Sequence, residues 1–166
     1  LDDRTARVAL VALDILTINE FIVDRVRTRL APTETLLCCS HTHSGPIAYA
    51  DEKSPRKNRE YMDWLVERIV EAVRQAQENL LPARLEYSHG EADVGINRRE
   101  KMPDGHMEIG LNPDGERDKS VQVVSVFTNH GRRKHDTERT RLATLVNYAC
   151  HGTVLGPDNL LVSADW

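Results

Sequence analysis

The apolar and polar positions of the chain alternate between two periods, and the switches between them mark the elements. Arg7 to Asp14 (RVALVALD) is a short β-branched, apolar run of strand length and predicts a buried strand. Directly after it, Ile18, Ile22 and Val26 recur four residues apart, with Phe21 and Leu30 on the same broad face. Asp24, Arg25, Arg27 and Arg29 fall largely outside that face, which predicts an amphipathic helix. Pro32 stops it, because proline cannot extend the helical hydrogen-bond ladder. Thr35 to Ser40 is the next apolar run, so the chain opens as strand, helix, strand, a crossover that makes parallel neighbours.

A polar loop follows over residues 41–57, carrying Gly45, Pro46 and Pro55. From Asn58 to Leu80 the period is again helical, through Tyr61, Met62, Leu65, Val66, Ile69, Val70 and Val73, and Pro82 ends it. Ala83 to Ala92 predicts a third strand. Residues 93–119 hold Gly95, Pro103, Gly105, Gly110, Pro113 and Gly115 and are expected to form a long loop, a feature that is usually functional in a compact domain. Ser120–Thr128 and Leu142–Ala149 predict a late antiparallel hairpin. Its connection, residues 129–141, carries Arg132, Arg133, Lys134, Arg139 and Arg141 against Asp136 and Glu138, and suits a solvated tip or a basic contact patch. The fold class expected is α/β: a mixed β-sheet with flanking helices.

With 166 residues the chain has the length of a single domain. A domain of that size buries about two-thirds of the surface its unfolded chain exposes, enough for a core without disulfides. Three cysteines, two of them the adjacent Cys38 and Cys39, give no disulfide framework and read as reduced core thiols. The net charge of −4 gives no case for nucleic acid, which calls for a basic face. The longest apolar run, Val8 to Leu13, is six residues, far short of the ~20 of a transmembrane helix. The chain begins at Leu1 and stops at Trp166 straight after the motif-like Val162-Ser163-Ala164-Asp165. One partial domain over residues 1–166, cut at both ends from a longer protein, is therefore the expected organisation.

Candidate chemistry centres on histidine. His41 and His43 lie in Ser40-His41-Thr42-His43-Ser44-Gly45-Pro46, where a strand gives way to a loop. In extended backbone, residues i and i+2 point to one side, so both rings are expected to face one point at the strand's C-terminal edge. Ligands of open α/β sheets collect there. Neutral imidazole is a good zinc ligand, and the alternative is a hydrogen-bonded structural pair. His151 repeats the arrangement after the last strand, in Cys150-His151-Gly152-Thr153, and two histidine-tipped strands in one sheet are expected to converge. Two ligands of one tetrahedral zinc bring their nitrogens roughly 3.3–3.5 Å apart, so His41 and His151 nitrogens are expected within about 5–6 Å without the metal. His89, His106, His130 and His135 read as ordinary polar residues. Arg98, after Gly95-Ile96-Asn97, has a planar fork suited to a carbonyl, carboxylate or phosphate oxygen, or to a surface salt bridge. Asp14 reads as a helix-start residue or a partner of a ligand. Cys150 lies beside His151, where a cysteine nucleophile is a further option.

In chain order, the segments SHTHSGP, GINRR, NYACHGT and LVSADW resemble the neutral/alkaline (non-lysosomal) ceramidases and their bacterial relatives. RVALVALDIL and the amphipathic helix after it resemble the start of that family's N-terminal catalytic domain, and the resemblance runs over essentially the whole chain. It implies a zinc-dependent hydrolase that cleaves the amide bond of an N-acyl lipid, ceramide to sphingoid base and fatty acid. By the same resemblance His41 and His151 are zinc ligands, and His43 lies beside the metal and hydrogen-bonds the substrate. Arg98 contacts substrate, with Arg99 as the other register. A glutamate and a tyrosine completing the zinc site are expected outside this chain. A secreted or periplasmic location is likewise implied, and a lipid-like amide is the expected partner. The family usually has proline after the late histidine where this chain has Gly152, which leaves room for another amide or ester as substrate.

Overall fold

A computed structural model describes residues 1–48, 56–128 and 140–165. The expected loop residues 49–55, the hairpin tip 129–139 with His130 and His135, and Trp166 lie outside the described residues. The chain runs β1 (Val8–Leu13), α1 (Glu20–Leu30), β2 (Glu34–Cys39), α2 (Arg56–Glu78) and β3 (Ala83–Glu91). It continues through β4 (Asn97–Lys101), β5 (Met107–Asn112), β6 (Ser120–Thr128) and β7 (Thr140–Tyr148). These elements gather into two compact units, Leu1–Leu80 with Gly152–Trp166, and Leu81–His151.

In the first unit β1 and β2 pair in parallel, Val8 opposite Glu34 through Leu13 opposite Cys39, with α1 as the crossover. Strand alternation sorts their side chains. Ala9, Val11, Leu13, Leu37 and Cys39 pack against the helices, while Leu10, Leu36 and Cys38 are exposed. The expectation of a wholly buried first strand and two core thiols is corrected for that reason: only one face of the two-stranded sheet is covered. Burial raises the Cys39 thiol above its ordinary pKa, with the neighbouring Cys38 adding to the shift.

The core is made by the helical period. Ile22, Val26 and Leu30 of α1 meet Met62, Leu65, Val66, Ile69, Val70 and Val73 of α2, joined by Ile15 and Ala48. Phe21, expected on this face, is 61% exposed and lies instead under the Arg25 guanidinium, 5.3 Å from its centroid. One residue before Ile22, it is turned about 100° away from the core stripe. Asn19 caps α1, its side chain accepting from Ile22 N at 3.1 Å, so the helix-start role expected of Asp14 belongs to Asn19. Exposed pairs Arg25–Asp63 and Arg29–Glu67 link the helices, and solvent screening keeps the contribution of such surface pairs small.

In the second unit β6 is the central strand, antiparallel to β3 on one side and to β7 on the other. Both pairing senses expected from the sequence are thus present, in separate sheets. The expected long loop over residues 93–119 holds the β4–β5 hairpin, closed by Met102 N donating to His106 O at 2.9 Å and turned at Gly105, whose φ is +92°. A left-handed φ favours glycine. The strand Asn97-Arg98-Arg99-Glu100-Lys101 is polar on both sides, so no hydrophobic alternation announces it. No helix among the described residues is long and apolar enough to cross a membrane.

Candidate functional site

The chain leaves β2 at its C-terminal edge. Ser40 N still donates to Leu13 O at 2.9 Å, continuing the ladder by one residue, and then His41 takes a φ of +63°. A non-glycine residue in this region is uncommon, though histidine adopts it more readily than most. The backbone at His41 is therefore not extended, and the alternation expected to align His41 with His43 does not operate. The sharp turn brings them together instead, with ring centroids 5.3 Å apart and planes at 86°.

His41 Nδ1 lies 2.8 Å from the Leu16 carbonyl oxygen. A carbonyl only accepts, so Nδ1 carries the proton and Nε2 keeps a lone pair for a ligand role. Between the two histidines, Thr42 is fully buried. Its hydroxyl accepts from Ser44 N at 3.0 Å and donates to the Ser163 carbonyl at 2.7 Å. Ser163 N donates to Ser44 O at 2.9 Å, and Asn159 Nδ2 donates to Ser44 Oγ at 2.9 Å. Gly45 lets this loop run close to the β1 end: a Cβ there would meet the Asp14 carbonyl oxygen at 3.2 Å.

The segment bonded to this loop begins right after His151. Gly152 is buried, and the Asp165 carboxylate accepts from Val154 N at 3.1 Å and Leu155 N at 2.6 Å, closing residues 154–165 into a ring of chain. His41 and His43 belong to the first unit, and His151 is the last residue of the second. His41 and His43 are exposed and His151 is half-buried.

Arg98 stands on β4 at the irregularity between Asn97 and Arg99, where the register with β5 shifts. A bulge of this kind re-aims a side chain. Arg98 is half-buried and makes no ion pair among the described residues; Arg99 is exposed. The stretch before Arg98 is fixed by Tyr148 at the end of β7. The phenol oxygen accepts from Val94 N at 3.3 Å and Gly95 N at 3.1 Å and donates to Ala92 O at 3.0 Å. Gly95 passes close by: a Cβ there would lie 3.4 Å from the Tyr148 hydroxyl and 3.6 Å from Cys150 Sγ, in ordinary van der Waals contact. Within the second unit, the strand end that leads into Cys150-His151 thus holds the loop that leads into Arg98.

Two further histidines lie among the described residues of the second unit. His89 stacks beside Tyr87 on β3, centroids 6.2 Å apart. His106, on the β4–β5 turn, sits between Glu108 at 2.8 Å and Asp104, and its pKa is raised, first by Glu108 and then by Asp104. Thr42, Asn159, Ser163, Asp165 and Tyr148 carried no candidate role in the sequence. For all but Asn159 the motifs holding them, SHTHSGP, NYACHGT and LVSADW, were the available signal, but several of their hydrogen-bond partners are distant in the chain.

A family model described as neutral/alkaline non-lysosomal ceramidase, N-terminal, matches residues 1–166. Among solved structures, the neutral ceramidase from Pseudomonas aeruginosa is similar, with a TM-score of 0.65 and 24% identity over 93% of this chain. At that identity the likeness is one of fold. The chain spans 25% of the length of that relative. No curated protein sequence matches significantly. Since the family model covers the sequence from Leu1 to Trp166, the chain belongs to the neutral/alkaline non-lysosomal ceramidase family and represents its N-terminal region.

Proposed function

We propose that the protein containing this chain is a zinc-dependent amidohydrolase that cleaves ceramide to a sphingoid base and a fatty acid. Membership of the ceramidase family supports the reaction class. The observation that carries the zinc reading is the His41–His43 pair at the end of β2, its ring centroids 5.3 Å apart. This donor set fits zinc, which takes neutral imidazole readily, and the Leu16 carbonyl on His41 Nδ1 is the partner such a ligand needs. His41 and His151 are the proposed ligands, with a glutamate and a tyrosine from elsewhere in the longer protein. When bound, zinc would supply Lewis acidity toward the amide carbonyl and acidify a water at neutral pH.

The residues of this chain then have distinct tasks. His43, beside the proposed ligands, donates a hydrogen bond to the carbonyl oxygen as negative charge develops on it. Arg98 presents its fork to the same substrate. Well-placed donors of this sort contribute roughly 3–4 kcal/mol each in other hydrolases. A neutral amide asks for little further positive charge, in keeping with the net charge of −4. Residues 1–166 by themselves are expected to be inactive, because they supply only part of the proposed ligand set.

The full-length protein should hydrolyse ceramide, lose turnover to a chelator and regain it with zinc. Turnover that survives chelation overturns the zinc reading. A panel of short N-acyl amides and esters tests the second reading, a hydrolase of the same fold with another substrate, which Gly152 in place of the family's usual proline favours. Faster turnover of those compounds than of ceramide would decide for it.

A further inference from the structure

We infer that Tyr148 is a positioning residue for Arg98: its phenol anchors the stretch of chain that leads into the strand carrying the guanidinium. The inference rests on the reading above in which Arg98 meets the substrate, and every residue it uses lies within the second unit. Arg98 belongs to the β4–β5 pair, a two-stranded sheet that shares no ladder with β3, β6 and β7. Its place beside that larger sheet therefore depends on the two connecting stretches, residues 92–96 and 113–119. Val94 and Ile96 are exposed, so apolar packing does not hold the first stretch. Asp93 joins the two stretches to each other through Arg117 and Lys119, and ion pairs this exposed hold little by themselves.

Tyr148 ties the first stretch to the sheet. In the ladder registers, Val121 of β6 lies opposite both Gly90 of β3 and Tyr148 of β7. From β7 the phenol reaches the chain that has just left β3, accepting from Val94 N at 3.3 Å and Gly95 N at 3.1 Å and donating to Ala92 O at 3.0 Å. A hydroxyl has one proton and two acceptor sites, and all three are used. Arg98 follows three residues later. There Asn97 takes over the hold, Nδ2 donating to Glu116 O at 2.7 Å and Oδ1 accepting from Arg99 N at 2.8 Å. Side chains thus fix the backbone on both sides of a half-buried arginine that sits at a register shift. Without the phenol oxygen the hairpin loses its tie to β7, and the guanidinium moves with it while remaining chemically intact.

The test uses the full-length protein and whichever substrate of the panel above it hydrolyses fastest, with melting recorded in parallel. Tyr148→Phe keeps the ring and removes the oxygen. It should lower kcat/KM about 10-fold, less than the roughly 100-fold expected of Arg98→Ala, because a displaced group keeps part of its effect. The deciding readout is the double variant: in an Arg98→Ala background, Tyr148→Phe should cost nothing further in turnover, although it still lowers the melting temperature. Losses that multiply would show that Tyr148 acts on something other than Arg98 and overturn the role. A normal rate for Tyr148→Phe beside an impaired Arg98→Ala overturns it too, and leaves the substrate reading of Arg98 standing. If Arg98→Ala itself hydrolyses normally, that reading fails and takes this role with it. Should Tyr148→Phe not fold, Gly95→Val crowds the same hydroxyl from the loop side; a smaller loss that vanishes in the Arg98→Ala background supports the role, and an unchanged rate overturns it.

Discussion

The two compact units are held together by different physics. The first has a packed apolar core, with Ile22, Val26, Val66 and Val70 at most 1% exposed. In the second, Thr128 is the buried residue among those described, and the outer strands β3 and β7 are exposed along most of their length. Its order comes from strand ladders and from polar side chains spanning between loops: Tyr148 on Val94 and Gly95, Asp93 on Arg117 and Lys119, Thr128 on Pro82. Lys119 and then Arg117 hold the Asp93 carboxyl below its ordinary pKa. A packed core tolerates loss of a surface bond and punishes loss of volume. A hydrogen-bonded open sheet does the reverse. The lesson concerns the candidate site too, since His41 and His43 sit on the first kind of scaffold and Arg98 on the second.

The sharpest attempt to break this contrast is a pair of truncations. Ile22→Ala in the α1–α2 core should destabilise the first unit by about 2–5 kcal/mol, and Leu145→Ala on β7, 37% exposed, by much less. Denaturant melts of the two variants check it, and equal losses would show that the second unit has a core of comparable weight. Tyr148→Phe comes next. It strips two backbone N–H groups of their acceptor and one carbonyl of its donor, at a cost of about 1–3 kcal/mol. Amide exchange at Val94 and Gly95 should accelerate, with little change across α1 and α2.

Asn19→Ala removes the α1 cap and should cost the first unit about 1 kcal/mol, read from the same melts. The smallest effect belongs to the β4–β5 turn. His106 has a raised pKa, so its folded form binds the proton more tightly than the unfolded chain does. Stabilisation from this contact is fully present below the ordinary histidine pKa of about 6.5 and is lost as pH rises through the raised folded value. Proton exchange of the turn amides should quicken over that window beyond its intrinsic pH dependence, and His106→Gln should abolish the excess. A flat profile in the unaltered protein would remove the contact from the second unit's hold.

What could be read from the residues followed from local periodicity. The helical spacing from Tyr61 to Val73 predicts α2, and the apolar runs flanking α1 predict a parallel pair, because a crossover helix leaves few other ways to cover both. Polarity hid the β4–β5 hairpin: Asn97 to Lys101 pairs through its backbone and exposes its side chains, so nothing periodic betrays it. Phe21 shows the limit from the other side. Its hydrophobicity suggested the core, but one residue of helical rotation places it under Arg25 in solvent.

For the site, the sequence by itself determined the donors: imidazoles after two strand ends, an arginine in a glycine-bearing stretch, and the residue types that suit a metal-assisted amide hydrolysis. These are covalent facts, fixed by which side chains exist and what sits next to them. Only the tertiary structure decided that His41 and His43 meet through a left-handed turn, that Leu16 sets the His41 tautomer, and that Thr42 and Asp165 secure the segment following His151. Those outcomes depend on hydrogen bonds between residues far apart in the chain, whose geometry no local period encodes.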